Sequence, residues 1–220
     1  MFVVIDYDMG NLKSMSNALK ALAVPHEVSG EAAVVGAASA IILPGVGAFG
    51  DGMQALVRRG LIPVLKKKVL DEGVPYLGVC LGMQFLASRS YEHGEHAGLD
   101  WIPGSVTRLA PAHASLKVPH MGWNELKVAM AASPLVRDIA DGTAVYFLHG
   151  YHFVPEAPAG CVVATTDHGG EVVAAVQRGH IFGVQFHPEK SQGAGLAILR
   201  NFADYATHAQ KAPDPIAARP

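Results

Sequence analysis

The stretch Val74–Leu86, VPYLGVCLGMQFL, decides how the rest of this 220-residue chain is interpreted. Its apolar run Tyr76–Val79 predicts a buried strand. The periodic apolar residues from Leu81 onward predict a helix that reaches about Ser88. Cys80 stands between the two elements, so its side chain is expected at the apex of a strand-to-helix turn.

Glycines stand two residues to either side of this cysteine, at Gly78 and Gly82, which gives the G-x-C-x-G form of a nucleophile elbow. A sharp turn crowds the backbone, and glycine tolerates the crowding. The sulfur is raised toward a helix N-terminus, where free N–H groups favour the thiolate. A lone cysteine is more often a small buried hydrophobe. The hypothesis that Cys80 is a nucleophile therefore depends on finding a partner base.

Composition excludes several classes of protein. Half of the residues are hydrophobic and the net charge is −2, so nothing favours nucleic acid or an anionic membrane as the main partner. Cys80 and Cys161 form no disulfide framework or metal-ligand spacing, and a reducing compartment fits better, although a disulfide stays open. The N-terminus lacks the features of a signal peptide. We therefore expect a cytoplasmic protein.

Short strands alternate with helices along the chain, which predicts an α/β fold. The expected architecture is an open, mostly parallel central sheet with helices on both faces and an additional antiparallel strand region from Val145 onward. We predict one domain over residues 1–207 and a disordered tail over 208–220, because the tail is rich in Pro and Ala. Predicted strands include Phe2–Asp6, Ala40–Leu43 and His180–Phe186, and predicted helices include Leu12–Leu22 and Ala194–Thr207.

A base for Cys80 is found near the other end of the chain. His187 closes a predicted strand, and Pro188 holds the residue before it extended. In an extended chain His187 and Glu189 project to the same side, at the sheet edge where open α/β proteins bind their ligands. His187 is then the base, and Glu189 orients its ring. An exposed turn without a catalytic role is the alternative interpretation of His187–Glu189.

Acyl transfer through a thioester also needs an oxyanion hole. The N–H of Leu81, directly after the nucleophile, is one expected donor. The glycine-rich loop that includes Val46 and Gly47 is expected to supply the second. The segment Tyr91–Ala97 carries two His and two Glu, but its spacing matches no standard metal site, and we expect a solvated loop there, with no metal and no cofactor.

Two motifs, GVCLGMQ and QFHPE, resemble those of class I, triad-type glutamine amidotransferases. The resemblance extends from Ile5 to Gln192 and is closest to the glutaminase subunits of imidazole glycerol phosphate synthases. The segments that carry it are IDYDMGNLKS, LPGVGAFGDGM, GLDWIPGSV, KVPHMGWNEL, YFLHGYHF and FGVQFHPEKSQ. The fold implied is that of the class I amidotransferases.

The resemblance implies a Cys80–His187–Glu189 triad that hydrolyses glutamine to glutamate and ammonia through a thioester. It further implies a set of residues that hold glutamine: Gly45, Gln84, Glu92, Gly150 and Tyr151.

The resemblance also implies a partner, a separate (β/α)₈-barrel cyclase/synthase subunit in a heterodimer. That subunit would use the ammonia to make imidazole glycerol phosphate and an aminoimidazole carboxamide ribotide in histidine biosynthesis. Several positions of the family face the partner, and here they are Asn11, Pro119, Met121, Trp123 and Lys190. A dry contact around these side chains would keep ammonia from leaking into water.

The chain departs from the family pattern at two positions. Gly150 stands where Ser or Thr is usual, and Asp8 stands where a small residue is common. The Gly150 departure leaves open a paralogous glutaminase that feeds a related barrel synthase in surface-sugar amidination. A stand-alone Cys hydrolase and a degenerate binding subunit are further alternatives. The apolar PHMGW segment argues against the stand-alone hydrolase, and the intact triad argues against the degenerate binding subunit.

Overall fold

The computed structural model describes residues 1–113 and 115–209, and within them it contains fourteen strands and six α-helices, besides short π- and 3₁₀-helical turns. The strands are β1 Phe2–Ile5, β2 His26–Ser29, β3 Ala40–Gly45, β4 Tyr76–Cys80, β5 Arg89–Ser90, β6 His96–Ala97, β7 Gly104–Arg108, β8 His120–Glu125, β9 Lys127–Val128, β10 Ala144–His149, β11 Tyr151–Pro155, β12 Val162–Asp167, β13 Glu171–Arg178 and β14 Ile181–Val184. The helices are α1 Leu12–Ala21, α2 Ala32–Gly36, α3 Phe49–Arg58, α4 Leu61–Lys66, α5 Leu81–Gln84 and α6 Gln192–Ala209.

The central sheet has eight strands in the order β2-β1-β3-β4-β14-β13-β12-β9. The first five are parallel to one another, and the last three continue the sheet in antiparallel pairings. Two smaller sheets lie beside it, the antiparallel pair β8–β10 and the four-stranded sheet β11-β7-β5-β6. The predicted open, mostly parallel sheet and the added antiparallel region are confirmed.

Apolar side chains alternate along the central strands, and each set packs against helices on one face of the sheet. Val4 and Ile42 belong to a core cluster that includes apolar residues of α1 and α6. Val3 and Ile41 belong to a second cluster that includes residues of α3 and α4. Strands buried on both faces are typical of a parallel sheet covered by two helical layers. No helix in the described ranges has the length and apolarity needed to cross a bilayer.

Several element bounds differ from the predicted ones. The last helix extends to Ala209, two residues past the predicted domain end, and the rest of the predicted tail, 210–220, lies outside the described residues. The segment Tyr91–Ala97 is not a simple loop, because its last two residues form β6 and pair antiparallel with β5. The sequence pattern does not predict β8, since its Pro, Gly and Trp surroundings hide any alternation of apolar residues.

Candidate active site

Cys80 occupies a strained backbone conformation at the end of β4. Its φ is 54° and its ψ is −106°, a combination that non-glycine residues rarely adopt. The flanking glycines are needed for steric reasons. A Cβ on Gly78 would lie 2.2 Å from the carbonyl oxygen of Gly82, and one on Gly82 would lie 1.8 Å from the carbonyl oxygen of Leu43. The turn therefore has the geometry expected of a nucleophile elbow.

The helix behind the elbow is shorter than predicted. α5 ends at Gln84 after about one turn, whereas the sequence pattern predicted a helix to about Ser88. The chain leaves the helix because the N–H groups of Leu86 and Ala87 bond back to residues three positions earlier, in a tightened turn. A helix of one turn has only a small dipole to stabilise the thiolate of Cys80. We therefore assign the activation of the thiol mainly to a nearby base.

His187 and Glu189 form a buried hydrogen-bonded pair. The His187 Nδ1 lies 2.8 Å from the Glu189 Oε1, and both side chains are 2 % exposed. The pairing arises differently from the predicted extended segment, because Pro188–Lys190 forms a 3₁₀ turn that brings the carboxylate back to the ring. Ser191 donates its hydroxyl to the His187 carbonyl at 2.7 Å, which fixes this turn.

Strand pairing explains why the two halves of the site meet. β14 lies parallel to β4, with Val184 opposite Val79, so the residues after each strand emerge at the same edge of the sheet. Gln185 follows β14 and places its side-chain Nε2 3.6 Å from the Cys80 Sγ. Two residues later, the same segment reaches His187.

The electrostatics of the ring favour its protonated form. Burial alone would lower the pKa of His187, but its interactions with Cys80 and Glu189 outweigh burial and raise the pKa to about 9. The His187 Nε2 and the Glu189 Oε2 are buried without a hydrogen-bond partner. Catalytic hydrogen bonds are often incomplete before substrate binds. A free Nε2 beside a thiol can take the thiol proton and form an imidazolium–thiolate pair.

A cleft of about 230 Å³ opens above the cysteine. Gly45 lies directly opposite Cys80 in the β3–β4 pairing, so the chain that continues from Gly45 forms one wall of the cleft. Gly47 has a φ of 101°, which a larger residue would adopt only with strain. The lining residues are Val46, Gly47, Cys80, Leu81, Gln84, Glu92, Pro119, Leu148, His149, Gly150 and Tyr151.

Two of the residues expected to hold glutamine already have structural partners. Gln84 donates both amide protons, to the Tyr151 carbonyl at 2.9 Å and to the Gln185 Oε1 at 3.1 Å. Its carbonyl oxygen is therefore the group that remains for a ligand. Glu92 accepts a hydrogen bond from the Phe49 N–H at 2.7 Å, at the start of α3. Glu92 thus connects the cleft to the helix that follows the glycine-rich loop.

Three of the five residues expected to face a partner lie on the surface that includes β8 and the Tyr146 ring. Met121 is 62 % exposed and Trp123 is 49 % exposed. Trp123 packs edge-on against Tyr146, and the Lys190 ammonium lies 5.8 Å from the centre of the same ring. Two other expected positions differ, since Pro119 lines the cleft itself and the Asn11 side chain caps α1 through the Ser14 N–H.

The sequence interpretation missed three polar groups near the cysteine. Gln185 contacts the sulfur, and its position two residues before His187 could have indicated it. Tyr7 is buried with an unpartnered hydroxyl, and burial and the charge of Cys80 raise its pKa. His149 is buried and borders the cleft. For Tyr7 and His149 no local motif gave a signal.

Comparison with known proteins agrees with this geometry. The sequence profile described as glutamine amidotransferase class-I matches residues 3–205. The imidazole glycerol phosphate synthase subunit HisH of Moorella thermoacetica is 47 % identical over 209 residues, covering 95 % of this chain and 97 % of that protein. The subunit of the same name from Zymomonas mobilis is 49 % identical over 206 residues, covering 92 % and 94 %.

Solved structures give the same fold. A crystal structure of a glutamine amidotransferase superposes with a TM-score of 0.71 at 20 % identity, covering 93 % of this chain and 98 % of that one. The structure of PurLQS from Thermotoga maritima gives a TM-score of 0.68 at 20 % identity, covering 93 % and 97 %. The chain therefore belongs to the class I glutamine amidotransferases and, within them, to the family of HisH subunits of imidazole glycerol phosphate synthase.

Proposed function

We propose that this chain is the glutaminase subunit of an imidazole glycerol phosphate synthase and supplies ammonia for histidine biosynthesis. One observation carries the proposal: Cys80 stands at a strained elbow beside a buried His187–Glu189 pair, in a chain 47 % identical to a HisH subunit. The reaction converts glutamine and water into glutamate and ammonia and needs no cofactor.

The chemistry runs in two halves. His187 takes the proton of the Cys80 thiol, and the sulfur attacks the side-chain amide carbon of glutamine. The tetrahedral intermediate collapses when the C–N bond breaks and His187 gives its proton to the leaving ammonia. Water, deprotonated by His187, then attacks the glutamyl thioester and releases glutamate and the thiol. Glu189 keeps the imidazole oriented and stabilises its positive charge in both halves.

The negative charge on the intermediate needs donors at the apex of the cleft. We assign this role to the Leu81 N–H and to the glycine-rich loop at Val46 and Gly47. The parallel pairing of Gly45 with Cys80 supports the assignment, because it keeps the loop next to the sulfur. Preorganised donors of this kind contribute about 3–4 kcal/mol to the transition state.

The amino-acid end of glutamine would lie further along the cleft. Gly150 and Tyr151 present backbone groups there, and Gln84 has its carbonyl oxygen free to accept from the substrate ammonium. Glu92 lines the same wall, and its negative charge complements the ammonium. We count Gly45 among the glutamine-binding residues because it directly precedes Val46 and Gly47 of the proposed oxyanion loop.

The partner in this proposal is a (β/α)₈-barrel cyclase/synthase subunit, bound as a heterodimer in the cytoplasm. Exposed Met121 and Trp123 beside the cleft support a contact there, because large apolar side chains are enriched at interface centres. Lys190 belongs to the same surface, and Asn11 and Pro119 are further proposed contacts outside it. The names of the Moorella and Zymomonas relatives favour the histidine pathway over a barrel synthase for surface sugars.

The decisive experiment measures glutamate release from glutamine with and without the histidine-pathway barrel subunit and its nucleotide ligand. Strong stimulation by both together is expected, and Cys80→Ser is the matched inactive control. If the rate of glutamate release does not change when the barrel subunit is added, the chain is instead a paralogous or stand-alone glutaminase. No release under any condition would refute the glutaminase activity itself.

A further inference from the structure

β8 presents two different faces. Met121 and Trp123 point outward, whereas His120 and Asn124, at the alternate positions of the strand, point inward toward β10 and the loop after it. His120 is 4 % exposed, and its partner His149 is 6 % exposed. A strand whose outer face is expected to contact the barrel subunit thus carries buried hydrogen-bonding groups on its inner face.

These inner groups form a continuous chain of hydrogen bonds. The Asn124 Nδ2 lies 3.1 Å from the His120 Nε2, and the His120 Nδ1 lies 3.1 Å from the His149 Nε2. The His149 Nδ1 lies 2.9 Å from the Tyr151 carbonyl oxygen. The rings of Phe147 and His168 stack on the two sides of His120, at centroid distances of 4.6 and 4.0 Å, and hold it in this orientation.

The groups at the two ends of this hydrogen-bond series determine which atom donates in each bond. The Asn124 amide nitrogen can only donate, so the His120 Nε2 accepts and its proton resides on Nδ1. That proton is donated to the His149 Nε2. The His149 Nδ1 therefore carries the proton that is donated to the Tyr151 carbonyl, which can only accept. Asn124 itself is fixed, because its amide also donates to a backbone carbonyl at 2.7 Å and its oxygen accepts a backbone N–H at 2.8 Å.

The chain continues to the nucleophile. The Tyr151 carbonyl also accepts from the Gln84 Nε2, which in turn donates to Gln185, whose own amide approaches the Cys80 sulfur. Gln84 and Tyr151 both line the cleft. The position of the glutamine-binding wall is thereby connected, bond by bond, to the inner face of β8.

We propose that His120 and His149 are positioning residues, a neutral hydrogen-bonded pair through which β8 sets the place of Tyr151 and Gln84 around the bound glutamine. The inference rests on the proposed function, because it concerns how the cleft holds that substrate. Neither ring touches the reacting atoms. Their effect is exerted through the Tyr151 carbonyl.

Neutrality is a condition of this arrangement. A doubly protonated ring would point an N–H at another N–H, either between His120 and Asn124 or between His149 and His120. Burial lowers the pKa of both rings, to about 4 for His120 and about 3 for His149. Interaction with His168 lowers the pKa of both rings further, and interaction with His152 lowers the pKa of His149.

Spectroscopy tests the pair without any assay of activity. Long-range ¹⁵N–¹H correlation spectra of the full chain report the tautomer of each imidazole, and His120→Phe and His149→Leu assign the two signals. Both rings are expected to hold their proton on Nδ1 and not to titrate between about pH 5.5 and pH 8. An Nε2–H tautomer for either ring, or protonation in that range, would overturn the proposal.

Kinetics in the complex with the barrel subunit test the positioning role. Asparagine places an amide nitrogen near the Nδ1 of histidine, so His149→Asn keeps the donor to Tyr151 and His149→Leu removes it. We expect KM for glutamine to rise about tenfold in His149→Leu, the size typical of losing one buried hydrogen-bond partner, with the larger part recovered in His149→Asn.

The outcomes separate this inference from the proposed function. A wild-type complex without glutaminase activity refutes the function, while the spectra still test the pair. An active wild type with an unchanged KM in His149→Leu refutes the positioning role, even if the melting temperature falls, because a merely structural ring would change stability alone.

Discussion

Replacing Gly150 with serine is expected to stabilise the protein and leave glutamine binding intact. Gly150 joins β10 to β11 at the wall of the cleft, at the position where the family resemblance leads us to expect Ser or Thr. Its backbone does not lie in the left-handed region that favours glycine. A Cβ there would lie 3.8 Å from the Val118 Cγ1 and 4.0 Å from the Pro119 Cβ, which are ordinary van der Waals contacts.

The size of the effect follows from chain entropy. A glycine replaced without strain loses freedom mainly in the unfolded chain, which stabilises a protein by about 0.4–1 kcal/mol. For a domain of this length, each kcal/mol raises the melting temperature by about 2–4 °C. The expected rise for Gly150→Ser is therefore about 1–4 °C. The backbone N–H of residue 150 is unchanged, so KM for glutamine should not increase.

The matched control is Gly179→Ser, in the turn between β13 and β14. This site also has open space, with no atom within 4 Å of the position that a Cβ would take, but its φ is 59°. A left-handed conformation costs a non-glycine residue about 1–2 kcal/mol, so its melting temperature should fall by about 2–8 °C. Thermal unfolding followed by circular dichroism measures both variants, and glutamate release with the barrel subunit measures KM.

A lower melting temperature for Gly150→Ser would refute the backbone conformation described for residue 150. A raised melting temperature with a higher KM would refute a different step, the assumption that residue 150 contributes only its backbone to glutamine binding.

Further perturbations probe the rest of the site. Cys80→Ser should lower glutamate release by at least about 10³-fold while the barrel subunit still binds, which pull-down and kinetics would check. Gly82→Ala should prevent folding or lower the melting temperature sharply, since its Cβ would lie 1.8 Å from a backbone carbonyl of β3. Trp123→Ala should weaken binding of the barrel subunit by about tenfold or more in calorimetry, with a small change in melting temperature, because the side chain is 49 % exposed. The pKa of His187 is raised from 6.5 to about 9, so its interactions stabilise the fold fully below about pH 6.5 and are lost as the pH rises through 9. Glu189→Gln should therefore reduce the free energy of unfolding more at about pH 6 than at about pH 10.

The elbow could be predicted from the sequence because its causes are local. A short apolar strand, a cysteine and two glycines at fixed spacing specify a crowded turn, and Gly78 and Gly82 are indeed packed too tightly for any side chain. The His187–Glu189 pair could be predicted for a similar reason, since two residues in one turn cannot be far apart. The extended backbone predicted for this segment was nevertheless wrong, because Pro188–Lys190 forms a 3₁₀ turn.

The histidine pair could not be predicted, because its causes are distant in the chain. His120 and His149 are 29 residues apart and meet only through the antiparallel pairing of β8 with β10. With eleven histidines in the chain, no spacing distinguishes these two. β8 itself shows no apolar alternation, since its inner side chains are His120 and Asn124 and its outer ones are Met121 and Trp123.

β8 carries polar side chains on its inner face and apolar ones on its outer face, and this arrangement has a physical reason in the neighbouring site. An apolar inner face would have stabilised the β8–β10 pair more simply, because buried polar groups contribute little unless every one is satisfied. Here each ring nitrogen of His120 and His149 has a partner, so the cost of burying these polar groups is offset. Such a series of hydrogen bonds provides a direction that an apolar contact does not: the Asn124 amide sets the tautomer of His120, which in turn favours the His149 tautomer that donates to the Tyr151 carbonyl. A strand that is expected to contact the ammonia-consuming subunit is thus connected by hydrogen bonds to the wall that we propose holds glutamine, which is where coupling between the two reactions would have to act.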